Sequence, residues 1–179
     1  VRYPKVVVNS HSIGMRMTMR KQLAGVAALA ATALLVSGCA GNATGAPTTP
    51  EQPSTDQIRA LFADWNAALA TGDAQKVADR YAPNAVLLPT VSNQVRSTRA
   101  EIVDYFEHFL QNKPSGTILD SHVAVLDADD AIDAGTYRFA LTKDGKPTTV
   151  DARYTFVYEK IDGKWLIVNH HSSAMPEKA

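Results

Sequence analysis

Two Asp-Gly pairs, Asp144-Gly145 and Asp162-Gly163, each lie between β-rich runs, and they constrain this chain more than any other feature. Asp-Gly accepts the positive backbone angles of a two-residue hairpin turn, whose twist matches that of the strands it joins. The flanking runs, Ala131 to Thr142, Thr148 to Lys160 and Lys164 to Ser173, therefore read as one antiparallel meander, preceded by a strand over Thr117 to Leu126. Ahead of them the apolar residues recur at helical spacing. Ser54-Thr55-Asp56-Gln57 has the form of a capping box, and Ile58, Leu61, Phe62, Trp65 and Leu69 follow on one helical face. Thr71-Gly72-Asp73 separates this helix from a shorter one with Val77 and Tyr81 inward, ended by Pro83-Asn84; Ala85 to Leu88 reads as a short strand. Thr98 to Glu101 opens a third helix with Ile102, Val103, Phe106, Phe109 and Leu110 on its apolar side, ending at Asn112-Lys113-Pro114. Helices followed by a meander predict an α+β fold, three N-terminal helices packed on an antiparallel sheet. Four strands of about ten residues exceed the usual length, so the sheet must curve strongly, and a curved sheet closed by helices encloses a pocket.

A two-residue turn at Asp162-Gly163 also predicts a register. Tyr158 then faces Ile167, Phe156 faces Asn169 and Tyr154 faces His171; the other side pairs Val157 with Val168, Thr155 with His170 and Arg153 with Ser172. The aromatic side is expected to be concave and helix-covered, which places His171, Asn169 and Ser173 in the cavity. The opposite side, with Val157, Leu166 and Val168, is too apolar for a face left in water, and a second copy of the chain is expected to cover part of it.

The front of the chain has a different character. Arg16, Arg20 and Lys21 precede an uncharged apolar run from Leu23 to Leu35, followed by Val36-Ser37-Gly38-Cys39. That is the order of an export signal, and the run is shorter than the ~20 residues that span a bilayer. Residues 1–38 are read as a signal peptide with a mis-started extension before Met15, Met17 or Met19. Residues 39–53, rich in Gly, Pro and Thr, are read as a tether, and residues 54–179 as a single domain. Cys39 directly after Ser37-Gly38 resembles a bacterial lipobox, which implies acylation of Cys39 and an extracytoplasmic location at the bacterial cell envelope, with the lipid as the only membrane contact. From Cys39 onward there are 13 basic against 18 acidic residues and no basic stripe, so nucleic acid is not an expected partner.

Ile118-Leu119-Asp120-Ser121-His122-Val123, Asp162-Gly163-Lys164-Trp165-Leu166-Ile167-Val168 and the ending His170-His171-Ser172-Ser173-Ala174-Met175-Pro176 resemble the association domain of calcium/calmodulin-dependent protein kinase II. They are closer still to its stand-alone bacterial relatives, the SgcJ/EcaC-type proteins of the nuclear transport factor 2-like superfamily. The resemblance spans nearly all of Ser54 to Pro176. It implies a cone-shaped fold, a deep cavity between sheet and helices, and homo-oligomers built by sheet packing. It implies less about function, because relatives include isomerases, cyclases, dehydratases and pure assembly modules. Two cavity arginines of the kinase domain fall on Phe156 and Ser172 here, so that basic anchor is not inherited.

Among candidate groups, His170-His171 cannot share a metal ion, since adjacent strand residues point to opposite faces. Asp127-x-Asp129-Asp130 fails as a calcium loop, with Ile132 where Gly and Arg138 where the bidentate Glu should stand. No G-x-S-x-G, His-Glu-x-x-His or P-loop occurs, and no metal or other cofactor is expected. Trp65, Tyr105, Tyr137 and Tyr154 are candidates for an aromatic lining with polar tips; Ser173 and His122 are candidates for its polar groups. Arg96 and Arg153 are its candidate cations, Arg153 alternatively bridging subunits. The reading favoured is an exported, lipid-anchored homo-oligomeric module that binds a small organic ligand. The alternatives are an isomerase, cyclase or dehydratase with His171 as acid/base and Tyr105 or Tyr137 donating to an oxyanion, and a scaffold without ligand. The inward helical faces carry no carboxylate pair, which weighs against the enzyme.

Overall fold

The computed structural model describes residues 51–176; the expected signal peptide, Cys39 and the expected tether up to residue 50 lie outside the described residues. Helix α1 spans Thr55–Ala70. Its first turn is held by Ser54, whose Oγ accepts from the Gln57 N–H at 3.2 Å while its own N–H donates to Gln57 Oε1 at 2.7 Å. The helical repeat carries Ile58, Phe62, Trp65 and Leu69 into the core, and Gly72, with φ 68°, turns the chain out of the helix. Helix α2, Ala74–Ala78, is capped by Asp73 and stops after five residues.

Tyr81 is therefore not the last inward residue of α2. It opens strand β1, Tyr81–Leu88, from which Tyr81, Ala85 and Leu87 are buried. Pro83-Asn84 sits inside this strand, where the pairing is interrupted between Tyr81 and Val86, and Pro is tolerated because β1 is an edge strand. Helix α3, Arg99–Phe109, starts from the second capping box and tightens into a 3-10 turn over Leu110–Asn112. Glu101 Oε2 accepts from the Ser97 and Thr98 N–H groups at 2.8 and 3.0 Å, and those bonds hold its carboxyl below the usual range.

Strands β2 (Ser115–Val125), β3 (Asp130–Lys143), β4 (Lys146–Ile161) and β5 (Lys164–Ala174) form the antiparallel meander, and β1 joins β5 in parallel, giving the order β1-β5-β4-β3-β2. Both hairpins turn on Asp-Gly with all four residues at positive φ: 51° and 74° at 144–145, 51° and 76° at 162–163.

Two one-residue bulges bend the sheet. Leu119 is skipped in β2 and Val168 in β5, and each extra residue adds local twist. At the first bulge β2 and β3 approach so closely that a Cβ on Gly135 would overlap the Asp120 carbonyl oxygen.

The second bulge corrects the sequence-derived register. Tyr158 pairs with Ile167 as expected, but beyond Val168 every residue changes face: Val157 pairs with Asn169, Phe156 with His170, Thr155 with His171, Tyr154 with Ser172 and Arg153 with Ser173. His170 and Ser172 are the inward pair, and His171 and Ser173 lie on the outer face. Of the three apolar residues expected outside, Val157 lies there; Val168 is the bulge residue, and Leu166 borders a groove against Leu61 and Thr71.

The helices cover the concave face. Phe62 and Trp65 of α1 meet Tyr137, Phe139, Tyr154 and Phe156 of the sheet, with Trp65 edge-on to Phe156 at 5.5 Å between centroids. Burying each such ring contributes roughly 1.5–3 kcal/mol, and a well-set aromatic pair about 0.5–1.5 more. The buried apolar cluster runs from Ile58 to Ile167, so the described domain carries its own core.

Candidate ligand pocket

One end of this core opens between α3, the concave sheet and the segment after β1. Trp65, Leu87, Phe106 and Phe139 form its floor and walls, Pro89, Thr90 and Val91 border it after β1, and Tyr105 and Phe109 of α3 flank it. The cavity volume is about 50 Å³, well below the roughly 300–1,000 Å³ of drug-sized ligand sites. Tyr105 and Phe109 stack at 5.7 Å with ring planes 15° apart. Among the described residues, no Lys, Arg, Asp or Glu lines the pocket.

Its polar groups form two chains. Trp65 Nε1–H donates to the Tyr81 hydroxyl at 3.1 Å, which meets His170 Nδ1 at 2.9 Å. Tyr137 donates to Ser172 Oγ, and Ser172 contacts Thr90 Oγ1. His170 is 3% exposed, stacks on Phe156 at 4.0 Å, and its Nε2 has no hydrogen-bond partner among the described residues. Burial, and then the neighbouring His171, lower its pKa to about 3, so the ring is neutral at ordinary pH. Burial likewise raises the pKa values of Tyr81, Tyr105 and Tyr137, which stay protonated. The site thus presents neutral donors on apolar walls.

Three of the expected lining residues, Trp65, Tyr105 and Tyr137, are in this pocket. The others are elsewhere. His171 is exposed on the outer face, half-buried Ser173 lies beside Arg153, and Arg153 is itself exposed opposite Thr136. His122 is exposed, with Nε2 2.9 Å from Asp120 Oδ2 on its own strand. Arg96 lines a neighbouring groove with His108 and Asn112, its Nη1 2.6 Å from Asp104 Oδ2. Tyr154 is inward but belongs to a second polar cluster, where its hydroxyl and that of Ser121 donate to buried Asp133 Oδ1 at 3.1 and 2.7 Å. Asp133 Oδ2 and the Tyr158 hydroxyl have no partner among the described residues. Asp127 Oδ1 accepts from the Asp129 and Asp130 N–H groups at 2.8 Å each, which makes the acidic run a self-bonded turn.

Sequence reasoning missed Tyr81, Thr90, His170, Ser172 and Asp133. For Asp133 a signal was present, since it shares strand parity with Ala131, Tyr137 and Phe139. Phe156 and Ser172, where the resemblance puts arginines, are both inward, so an apolar ring and a hydroxyl occupy those places.

The family model of the calcium/calmodulin dependent protein kinase II association domain matches residues 54–176. A crystal structure from Xanthomonas campestris, provisionally assigned as such a domain, is 60% identical, with a TM-score of 0.69 over 73% of this chain and 94% of that one. The association domain of the C. elegans kinase is 15% identical, TM-score 0.55, covering 66% of this chain and 94% of that one. A protein of Streptomyces avermitilis, provisionally assigned as a dehydratase of the nuclear transport factor 2-like family, is 17% identical, TM-score 0.60, covering 68% and 97%. The last two are likenesses of fold. No curated protein shows significant similarity to the chain.

Proposed function

The chain belongs to the calcium/calmodulin-dependent protein kinase II association domain family, and from that premise we propose that it is a self-associating module holding a small organic ligand in the pocket around His170. The observation that carries this reading is the pocket itself, an uncharged aromatic cleft whose lining includes His170, with a buried ring nitrogen that has no partner among the described residues. Self-association is supported by the outer face of the sheet as well as by the family. Ile132 and Val157 face each other there across β3 and β4, with Val86 and Leu88 of β1 on the same side. A sheet face left in water would alternate to polar residues at those positions.

The acid/base reading loses its proposed base, because His171 points away from the pocket. Export and acylation at Cys39 remain part of the proposal, supported by the order of basic, apolar and small residues in front of that Cys. Such a lipid would hold the domain at the outside of the cytoplasmic membrane or beyond it.

Native mass spectrometry of residues 40–179 tests assembly and occupancy together. An oligomer carrying a discrete extra mass is the expected result. A bare oligomer would favour a scaffold without ligand, and a monomer at micromolar concentration would remove the self-association.

A further inference from the structure

From Cys39 onward the chain is acidic, 13 basic against 18 acidic residues, yet three of its cations converge on one groove. Lys76 of α2, Arg80 just ahead of β1 and Lys164 at the start of β5 line a cavity of about 710 Å³ between α1, α2 and the β4–β5 hairpin. The Ile167 N–H donates to the Arg80 carbonyl at 2.9 Å, which ties the backbone at Arg80 to β5. Leu61 and Ala67 of α1 with Trp165 and Leu166 of β5 give the groove its apolar lining. Two acids line it as well. Asp79 is bonded to Arg99 at 2.7 Å, whereas Asp64, Lys76, Arg80 and Lys164 form no ion pair among the described residues. Three cations thus stand against one free carboxylate, and the groove is short of negative charge.

The complementary feature lies at the same end of the sheet. The β2–β3 turn carries Asp127, Asp129 and Asp130, with Leu126 beside them 56% exposed. The turn is fixed from within. The Leu126 and Asp127 N–H groups donate to the Asp130 carbonyl at 2.9 and 3.3 Å, and the Lys160 N–H of β4 donates to the Asp129 carbonyl at 2.7 Å. A turn already held in one shape loses little freedom on docking. The Asp129 and Asp130 carboxylates have no side-chain partner among the described residues.

Asp130 pairs with Glu159, and Glu159 with Leu166, so only β4 separates the strand that leaves the turn from the strand that borders the groove. The two features are therefore about 10 Å apart along the sheet. Bonded to β4, the turn cannot swing into the groove of its own chain. A second copy related by a two-fold axis can present its turn to this groove while its own groove receives this chain's turn.

We propose that the groove between α1, α2 and the β4–β5 hairpin receives the β2–β3 turn of a second copy, with Leu126 against Trp165 and Leu166, and Asp129 and Asp130 among Lys76, Arg80 and Lys164. The contact is reciprocal, so each pair of copies makes it twice. It rests on the self-association proposed above and adds a second contact surface to the outer face of the sheet.

Charge exchange tests it on residues 40–179, by sedimentation velocity at micromolar concentration. A groove variant, Arg80→Glu with Lys164→Glu, and a turn variant, Asp129→Lys with Asp130→Lys, should each reduce the assembly to about half the mass of the unaltered one or less. Mixed in equal amounts, the two variants should regain that mass, because the reversed charges then meet each other in one contact and the other contact is as in the unaltered chain. Unchanged mass in either variant, or no recovery on mixing, overturns the contact and leaves self-association through the outer face standing. An unaltered chain that is monomeric overturns both. Leu126→Ser, at an exposed tip, should lower the mass without changing charge, and it decides the matter where a charge variant fails to fold: unchanged mass in this variant also overturns the contact.

Discussion

His170 Nδ1 lies 2.9 Å from the hydroxyl of Tyr81, so the histidine in the pocket wall is held by a neutral phenol and not by a carboxylate. A carboxylate partner would raise the affinity of the ring for a proton; a phenol does little to offset burial, and burial decides the pKa.

Acid should therefore weaken the fold through this residue. Its pKa is lowered to about 3 in the folded chain from 6.5, so between those values the unfolded state binds a proton that the folded state does not. Stability from this source is fully present above about pH 6.5 and falls as pH drops, by up to about 1.4 kcal/mol per pH unit. Urea unfolding at intervals from pH 7 to pH 4.5 measures it, and His170→Phe should flatten the slope. An equal slope in both proteins would show that His170 does not govern it.

Tyr81→Phe removes the oxygen shared by Trp65 Nε1–H and His170 Nδ1. Each stranded buried group costs about 1–3 kcal/mol, so with two of them the variant should lose roughly 2–6 kcal/mol by chemical denaturation despite its near-identical shape. A loss below about 0.5 kcal/mol would mean the two bonds contribute little to the fold.

Two glycines should respond to Ala in opposite degree. Gly135→Ala places a methyl on the Asp120 carbonyl where β2 and β3 converge, and should cost more than about 4 kcal/mol or prevent folding. Gly145→Ala meets no atom within 4 Å; its φ of 74° alone should cost about 1 kcal/mol. Thermal melts of the two variants give the comparison.

Cys39→Ser tests the proposed anchor. In a bacterial host fed an alkyne-tagged fatty acid, the unaltered chain should take up label and sediment with membranes, and the variant should do neither. Label retained by the variant would place any acyl group elsewhere.

The turns and helix starts were legible because each is specified by a few adjacent residues: Asp-Gly for positive φ, Ser54 with Gln57 and Thr98 with Glu101 for the caps. The inward set of β5 was not. Asn169, His171 and Ser173 on one parity and His170 and Ser172 on the other are all polar, so alternation had no preference between them, and nothing in Ile167-Val168-Asn169 announces a bulge. Tyr81 was ambiguous for a related reason, since an aromatic residue that turns inward fits the end of a short helix or the start of a strand equally well. Asp133 escaped because a carboxylate in a strand is read as solvent-facing unless its partners are known, and Ser121 and Tyr154 come from two other strands.

The residues beyond the Val168 bulge come in doublets, His170-His171 and Ser172-Ser173. In either phase of the strand one histidine, with one serine two places on, is presented to the interior. The chemical character of the wall is therefore redundant with respect to a one-residue slip. Phase decides only which copy is sealed inside and which is left as its duplicate on the outer face.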